Sequence, residues 1–167
     1  MEERNYCEAY VICGISPKDK IKKYGLIALT AFSVALGLVI NPAIFLVSVI
    51  LFIVDYFVIP SFNVDYEYVY CNGQIDFDKI INKNGRKTLL KIDMDNVTLV
   101  APMSSHEFDG ARYNHTKEYN FTSLNPDTAK KYTISGTVEG MPVLINFEPD
   151  SKMLETIKKK DSRKVVL

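Results

Sequence analysis

Hydrophobic residues fill one long stretch of the chain, residues 24–60, in which Asn41 and Asp55 are the only strongly polar side chains. A single helix over most of this stretch would be roughly 50 Å long at about 1.5 Å per residue. The hydrocarbon core of a bilayer is only about 30 Å thick, so one straight crossing would leave much apolar surface outside it. The stretch therefore predicts membrane helices separated by a break.

Asn41 and Pro42 mark that break, because Asn is a favoured N-cap and Pro a favoured first helical residue. The two halves, residues 26–40 and 43–59, are each near the short end of the range for a membrane-spanning helix. The favoured prediction is thus a transmembrane hairpin of two short helices.

Other interpretations of the stretch stay open. It can be one kinked and tilted span, or a re-entrant hairpin that enters one leaflet, since each half is short. A pair of buried helices in a soluble core fits less well, because neither half has a polar face. A cleavable signal peptide fits poorly, because the apolar region is too long and no small-residue cleavage site precedes the folded part.

Lysines precede the apolar stretch, and neither Lys nor Arg lies between its two halves. They are Lys18, Lys20, Lys22 and Lys23. Because cytoplasmic flanks are enriched in Lys and Arg, we expect the N-terminus in the cytoplasm. A hairpin then returns the rest of the chain to the cytoplasm, whereas a single span would export it. The same lysines can recruit anionic lipid, but topology marking is the favoured role.

The approach to the apolar stretch contains a helix start. Ser16 and Pro17 suit the N-cap and first helical positions, and Asp19 suits the positive end of the helix dipole. Residues 1–15 show apolar side chains at helical spacing, which indicates either a short interfacial helix or a frayed terminus.

Asp55 is the only acidic or basic residue within the apolar stretch. A charge deep in hydrocarbon commonly marks a functional pathway. Asp55, however, lies about one turn from the end of the second helix and beside Tyr56. The favoured interpretation is therefore an interfacial Asp next to an aromatic belt residue.

After Pro60 the periodicity changes to that of strands. Residues 63–71 alternate, with their tyrosines on one face, and Asn72-Gly73 predicts a tight hairpin. Further turn signals delimit residues 88–94 and 97–101, so a four-stranded antiparallel meander is predicted.

The remainder predicts three more strands and a terminal helix. The strands are residues 117–122, 132–138 and 141–147, and residues 103–116 are expected to form a loop. Residues 150–160 form an amphipathic pattern with an inward stripe of Met153, Leu154 and Ile157.

Composition and motifs exclude several functions. The chain has 167 residues and a formal net charge of +0, so it lacks the basic excess of a nucleic-acid binder. Cys7, Cys13 and Cys71 have no metal-site or redox spacing and fit reduced thiols. Gly-rich phosphate loops, nucleophile elbows and zinc-protease motifs are missing from the sequence.

Two clusters of polar residues are candidates for chemistry. His106, Glu107, Asp109 and His115 lie close together, but a nine-residue gap between histidines is no recognised metal spacing, so a solvated loop is favoured. The other cluster is acidic and is expected to pair with Lys79, Lys83 and Lys91. Its members are Asp76, Asp78, Asp93 and Asp95. No catalytic, cofactor or metal residue is therefore predicted.

Seven antiparallel strands closed by a C-terminal helix resemble the pleckstrin-homology (PH)-like barrel or sandwich. The chain also resembles an uncharacterised family of small membrane proteins from Gram-positive anaerobic bacteria. That resemblance is carried by Tyr66-Glu67-Tyr68, Asn72-Gly73, Ile75 and the NFEPD segment at residues 146–150. It implies an α+β fold, a helical hairpin followed by a β domain, and brings no established activity.

Lipid-binding PH domains carry basic residues around a long first hairpin loop. Here that turn is Asn72-Gly73, with no Lys or Arg nearer than Lys79. Phosphoinositide binding is therefore not predicted.

Together these patterns predict three regions: an N-terminal segment (1–23), a transmembrane hairpin (24–60) and a cytoplasmic PH-like domain (61–167). The expected function is a non-enzymatic, multi-pass membrane-anchored binding or scaffold module. Its expected partners are the lipid bilayer and another membrane protein or a second copy, and no nucleic acid. The alternative is an accessory or regulatory subunit that docks on a larger membrane complex through the hairpin.

Overall fold

A computed structural model describes residues 6–83, 85–126 and 130–166 as a helical hairpin and two four-stranded sheets. The strands are β1 Tyr6–Val11, β2 Val64–Cys71, β3 Gln74–Ile81, β4 Gly85–Asp93, β5 Val97–Pro102, β6 Lys117–Asn120, β7 Tyr132–Val138 and β8 Met141–Phe147. The helices are α1 Pro17–Val39, α2 Phe45–Val58, α3 Asp109–Asn114 and α4 Ser151–Lys160. The α+β class predicted from the sequence is confirmed.

The break between α1 and α2 forms at the predicted residues. The Asn41 side chain accepts a hydrogen bond of 2.9 Å from the backbone N–H of Ala43, and Pro42 begins a short 3-10 turn that leads into α2. By length and composition, Pro17–Val39 and Pro42–Phe62 are each able to cross a membrane.

The first sheet joins strands from both sides of the hairpin. Its order is β1-β2-β3-β4, all antiparallel, and β1 pairs with β2 from Tyr6 opposite Cys71 to Val11 opposite Tyr66. The expected interfacial helix is wrong for Tyr6–Val11, because this segment alternates buried and exposed residues as a strand does. The expected helix also included residues 1–5, which lie outside the described residues.

The second sheet has the order β5-β7-β8-β6, with β6 parallel to β8. The described chain therefore has eight strands in two sheets that do not close into a barrel, rather than the seven antiparallel strands predicted for a barrel or sandwich. The predicted meander forms over β2, β3 and β4, but its fourth strand is wrong, because β5 leaves the first sheet after a 3-10 turn and pairs with β7. Gly136 permits this crossing, since a Cβ there would lie 2.7 Å from the carbonyl oxygen of Asn96.

The core lies between the sheets and is covered by α4. Its largest fully buried side chains include the aromatic rings of Tyr68, Tyr70, Phe77 and Phe147. Asp150 caps α4 by accepting a hydrogen bond of 2.7 Å from the N–H of Met153. Met153, Leu154 and Ile157 are buried, as their stripe predicts.

Residues 103–116 are more ordered than the predicted loop. A 3-10 turn at His106–Phe108 leads into α3, and Phe108 is completely buried against Ala101 and Leu144. The loop prediction is wrong here because one buried aromatic ring anchors a segment whose other residues are mostly polar.

Candidate functional site

Polar side chains join the two helices inside the hairpin. Thr30 on α1 donates a hydrogen bond of 2.7 Å to Asp55 on α2. One turn along, Ser33 donates to Ser48 over 2.9 Å, and both hydroxyls are buried. Between these contacts and the Asn41 turn, Gly37 lies directly against the ring of Phe45. The hairpin thus packs through small and hydroxyl side chains, a pattern typical of helices that meet in lipid.

Asp55 points between the helices, and only 8% of the residue is exposed. Its Oδ2 accepts from Thr30, while its Oδ1 has no hydrogen-bond partner among the described residues. Tyr56 next to it is exposed, as expected of an aromatic belt residue. The interfacial role of this pair remains a prediction; the packing of Asp55 against α1 was not foreseen.

The lysines before the apolar stretch lie on the first two turns of α1. Lys22 forms an ion pair of 3.3 Å with Asp19. Lys18, Lys20 and Lys23 make no ion pair with any described residue. Their role in setting the topology remains a prediction.

The base of the hairpin rests against the turn between β3 and β4. The backbone N–H of Asn82 in that turn donates to the carbonyl of Asn63 over 3.0 Å. Asn82 also lines a mostly apolar groove of about 850 Å³, together with Asp55 and the ends of both helices near Ile27 and Pro60. The β3–β4 turn therefore lies level with the end of the apolar helices.

A second groove, of about 680 Å³, runs beside β1. Its exposed apolar residues include Ile12 and Leu124, and the exposed ring of Tyr10 also lines it. Its charged residues are Glu8, Lys130, Glu148 and Asp150. β1 is the edge strand of the first sheet and pairs only with β2 among the described strands. Its outer edge therefore offers backbone donors and acceptors to an extended chain lying in this groove.

Hydrogen bonds fix the inner wall of this groove. The Tyr10 hydroxyl donates to Asp65 over 2.6 Å, and the N–H of Cys13 donates to the other carboxylate oxygen over 3.1 Å. The bond to Asp65 raises the pKa of Tyr10 to about 12. Burial raises the pKa of the Cys13 thiol to about 12, which makes it a poor nucleophile near neutral pH.

Most residues of the predicted polar clusters lie at the surface, and Asp78 is the exception among the described ones. Lys91 binds Asp76 over 2.7 Å, as expected, whereas Asp78 is buried and binds Arg86 over 2.6 Å instead of a lysine. His106 is 98% exposed and lies 3.4 Å from Asp109. Within the described ranges, no group of His, Cys, Asp or Glu side chains is placed to hold a metal ion.

Sequence reasoning missed two parts of this arrangement, although each leaves a signal. Residues 7, 9 and 11 of β1 are apolar and alternate with residues 6, 8 and 10, which a six-residue strand explains. In the hairpin, Thr30 and Ser33 are three residues apart on α1, and Ser48 and Asp55 are seven apart on α2. Such spacing places each pair on one helix face.

Comparison with known proteins matches the chain to a bacterial family. The model of a family described as "Bacterial PH-like domain (DUF6106)" matches residues 3–167, which confirms the resemblance to an uncharacterised PH-like bacterial family. No curated protein and no solved structure matches the chain.

Proposed function

The chain belongs to the bacterial PH-like domain family DUF6106, and on that premise we propose that it is a membrane-anchored, non-enzymatic binding module. In this proposal the hairpin α1–α2 enters the cell membrane, and the PH-like domain stays at the cytoplasmic surface. The domain binds an extended segment of a partner protein, or of a second copy, along the free edge of β1.

One observation carries the proposal: β1, which precedes the helical hairpin, pairs with β2, which follows it. The two strands flank the apolar helices in sequence, so both ends of the hairpin meet in one sheet. A single crossing would separate these strands by the thickness of the bilayer, about 30 Å. The pairing therefore supports a hairpin or re-entrant loop over a single kinked span.

The lysines on α1 support the cytoplasmic orientation. Lys and Arg are enriched on cytoplasmic flanks of membrane helices, and four lysines precede the apolar part of α1. Because the strands at both ends of the hairpin lie in the same sheet, the side of the membrane on which α1 begins is also the side on which the PH-like domain lies.

The groove beside β1 supports the binding role. An extended segment that adds to a sheet edge gains main-chain hydrogen bonds, and side-chain pockets supply specificity. Here the pocket residues include the apolar Ile12 and Leu124. Glu148 already pairs with Lys131 over 3.8 Å. Glu8 and Asp150 still outnumber Lys130 in the same groove, which favours a segment with apolar and basic residues.

Labelling of Cys71 tests the location. Cys71 is exposed on the PH-like domain, so it serves as a reporter once Cys7 and Cys13 are replaced by Ala. We expect the chain to stay with membranes after alkaline carbonate washing, and Cys71 to resist an impermeant maleimide until the cells are opened. Labelling in intact cells would place the domain outside and contradict the proposal.

Photo-crosslinking tests the binding edge. A benzophenone side chain at position 12 in the groove is compared with one at position 113, because Ile12 and Tyr113 are 75% and 89% exposed. We expect a discrete protein adduct from position 12 only, weakened by Leu124→Asp. Adducts of equal yield from both positions would remove the argument for β1.

A second candidate function is an accessory subunit of a larger membrane complex. The apolar groove beside Asp55 favours it, since the groove offers space for a helix of another protein. A crosslinker at Phe52, which lines this groove, is compared with one at Leu46, which is exposed elsewhere on α2. A protein adduct from Phe52 alone supports the subunit, and lipid adducts from both positions exclude it.

A further inference from the structure

Two lysine-rich segments that are far apart in sequence meet at the base of the hairpin. Residues 17–23 and 79–87 together carry eight basic residues and one acidic residue. Asn82 in the second segment lines the same groove at the helix ends as Pro60 and Ile27. Lys79 shares a smaller cavity, of about 220 Å³, with Ser16 and Asp19 at the start of α1. The fold therefore brings the two segments together.

The β3–β4 hairpin concentrates positive charge without neutralising it. Lys79 and Lys87 lie directly opposite each other in the register of the two strands, an arrangement of like charges that destabilises a sheet. Lys83 lies exposed in the turn. None of these three lysines forms an ion pair with a described residue. Arg86 differs, because it binds Asp78 and Glu67.

We propose that these lysines form a basic collar that contacts the phosphate groups of anionic phospholipids in the membrane surface. The collar consists of Lys18, Lys20, Lys22, Lys23, Lys79, Lys83 and Lys87. The inference rests on the proposed anchoring, which places the bilayer surface where the apolar helices end. An anionic headgroup there removes the repulsion between opposed lysines, and lysines near an anionic bilayer surface are attracted to it.

Net charge also favours a lipid surface over a soluble anion. The whole chain has a formal net charge of +0, so the residues outside the two segments are acidic overall. A second basic run, residues 158–164, lies near the end of α4, so the acidic excess belongs to the remaining residues. Lysines spread over two elements at the hairpin base suit an extended anionic surface better than a single soluble anion, and attraction to that surface favours one orientation of the PH-like domain.

The test reconstitutes the full chain in phosphatidylcholine vesicles that contain spin-labelled phosphatidylglycerol or spin-labelled phosphatidylcholine. The measured quantity is the relative affinity of the two labels for the protein. We expect wild type to prefer the anionic lipid, and Lys83→Glu with Lys87→Glu to reduce that preference by at least about threefold. Lys18→Gln with Lys20→Gln is a second variant, and both of its substitutions lie outside the β sheets. It therefore tests the collar even if Lys83→Glu with Lys87→Glu impairs folding.

The matched control is Lys159→Glu with Arg163→Glu, which makes the same change in charge. These residues lie near the end of α4, where Lys160 binds the carbonyl of Asn72 at the far end of β2. We expect the control to keep the wild-type lipid preference. An equal loss in the control and in the collar variants would overturn the proposal, because net charge alone would then explain it.

Salt separates the collar from a discrete phosphate site. Raising ionic strength until the screening length falls from about 10 Å to about 3 Å should remove the preference. Sodium chloride and inorganic phosphate at equal ionic strength should act equally; a stronger effect of phosphate would overturn the lipid-surface proposal. Failure of wild type to insert into neutral vesicles would overturn the anchor and the collar together. Insertion without lipid preference would overturn the collar alone.

Discussion

At the residue scale, two buried tyrosines on β2 differ in what their hydroxyl groups contact. The Tyr68 hydroxyl donates to the carbonyl of Phe121 over 2.6 Å and accepts from the N–H of Glu148 over 3.2 Å. The Tyr70 hydroxyl is buried without a hydrogen-bond partner among the described residues. The two side chains therefore have opposite consequences for stability, although the sequence alternation treats them alike.

Substitution by Phe should separate them. Tyr70→Phe removes an unsatisfied group and should leave the free energy of unfolding unchanged or raise it by about 1 kcal/mol, whereas Tyr68→Phe should lower it by about 1–3 kcal/mol. Thermal unfolding of the full chain, followed by near-ultraviolet circular dichroism, measures both. A loss of stability in Tyr70→Phe as large as that in Tyr68→Phe would show that the Tyr70 hydroxyl forms a stabilising hydrogen bond and would contradict the prediction.

Tyr70 also predicts that the free energy of unfolding depends on pH. Burial raises the pKa of Tyr70 to about 12, above its ordinary value of about 10. The stability that its neutral form contributes is therefore present below about pH 10 and is lost as the pH rises through about 12. Tyr70→Phe should lose less stability than wild type between these two values. An identical decline in both proteins would contradict the assignment.

At the element scale, β1 is one of the elements that sequence patterns missed, as is α3. Six residues are too few to separate a strand from a frayed helix by periodicity alone. Tyr6 and Tyr10, four apart, favour the helical pattern, although both are exposed in the structure. Strands β2 and β3 were predictable because Asn72-Gly73 fixes their turn, and Asn72 does adopt a positive φ of 51°.

A charged side chain on the core-facing side of β1 should detach this strand from the core. Ala9 is 6% exposed and faces the core, whereas its neighbour Glu8 is exposed. Ala9→Asp buries an unpaired carboxylate and should destabilise the domain by about 3 kcal/mol or more. The matched control, Glu8→Ala on the other face, should change the stability by less than about 0.5 kcal/mol. Limited proteolysis of the full chain measures both, and similar protection in the two variants would show that β1 is not part of the core.

At the scale of the whole molecule, the sequence predicted the parts better than their connections. The hairpin break at Asn41 and the buried stripe of α4 depend on local sequence patterns, and both form as predicted. The division into two sheets depends on long-range contacts, such as the approach of Gly136 to Asn96, that no local pattern encodes. The pairing of β1 with β2 is also a long-range contact, and it determines how the helical hairpin is attached to the PH-like domain.

An engineered disulfide tests that attachment directly. Tyr6 and Cys71 are opposite each other in the register of β1 and β2, and both are exposed. Directly opposed residues have Cβ atoms about 4.5–5.5 Å apart, close to the separation that a disulfide requires. In a chain with Cys7→Ala and Cys13→Ala, Tyr6→Cys should therefore crosslink to Cys71 under mild oxidation in native membranes. The bond would close a loop around the whole apolar hairpin, visible as a reducible shift in gel mobility.

The control is Glu8→Cys, which lies opposite Val69 rather than Cys71 and should crosslink more slowly. If α1 and α2 formed one continuous crossing, residues 6 and 71 would lie on opposite sides of about 30 Å of hydrocarbon, and neither cysteine would react. If β1 were frayed, positions 6 and 8 would react at similar rates. Only strand pairing across a hairpin or re-entrant loop predicts a fast reaction at position 6 and a slow one at position 8. The two rates taken together therefore distinguish all three arrangements.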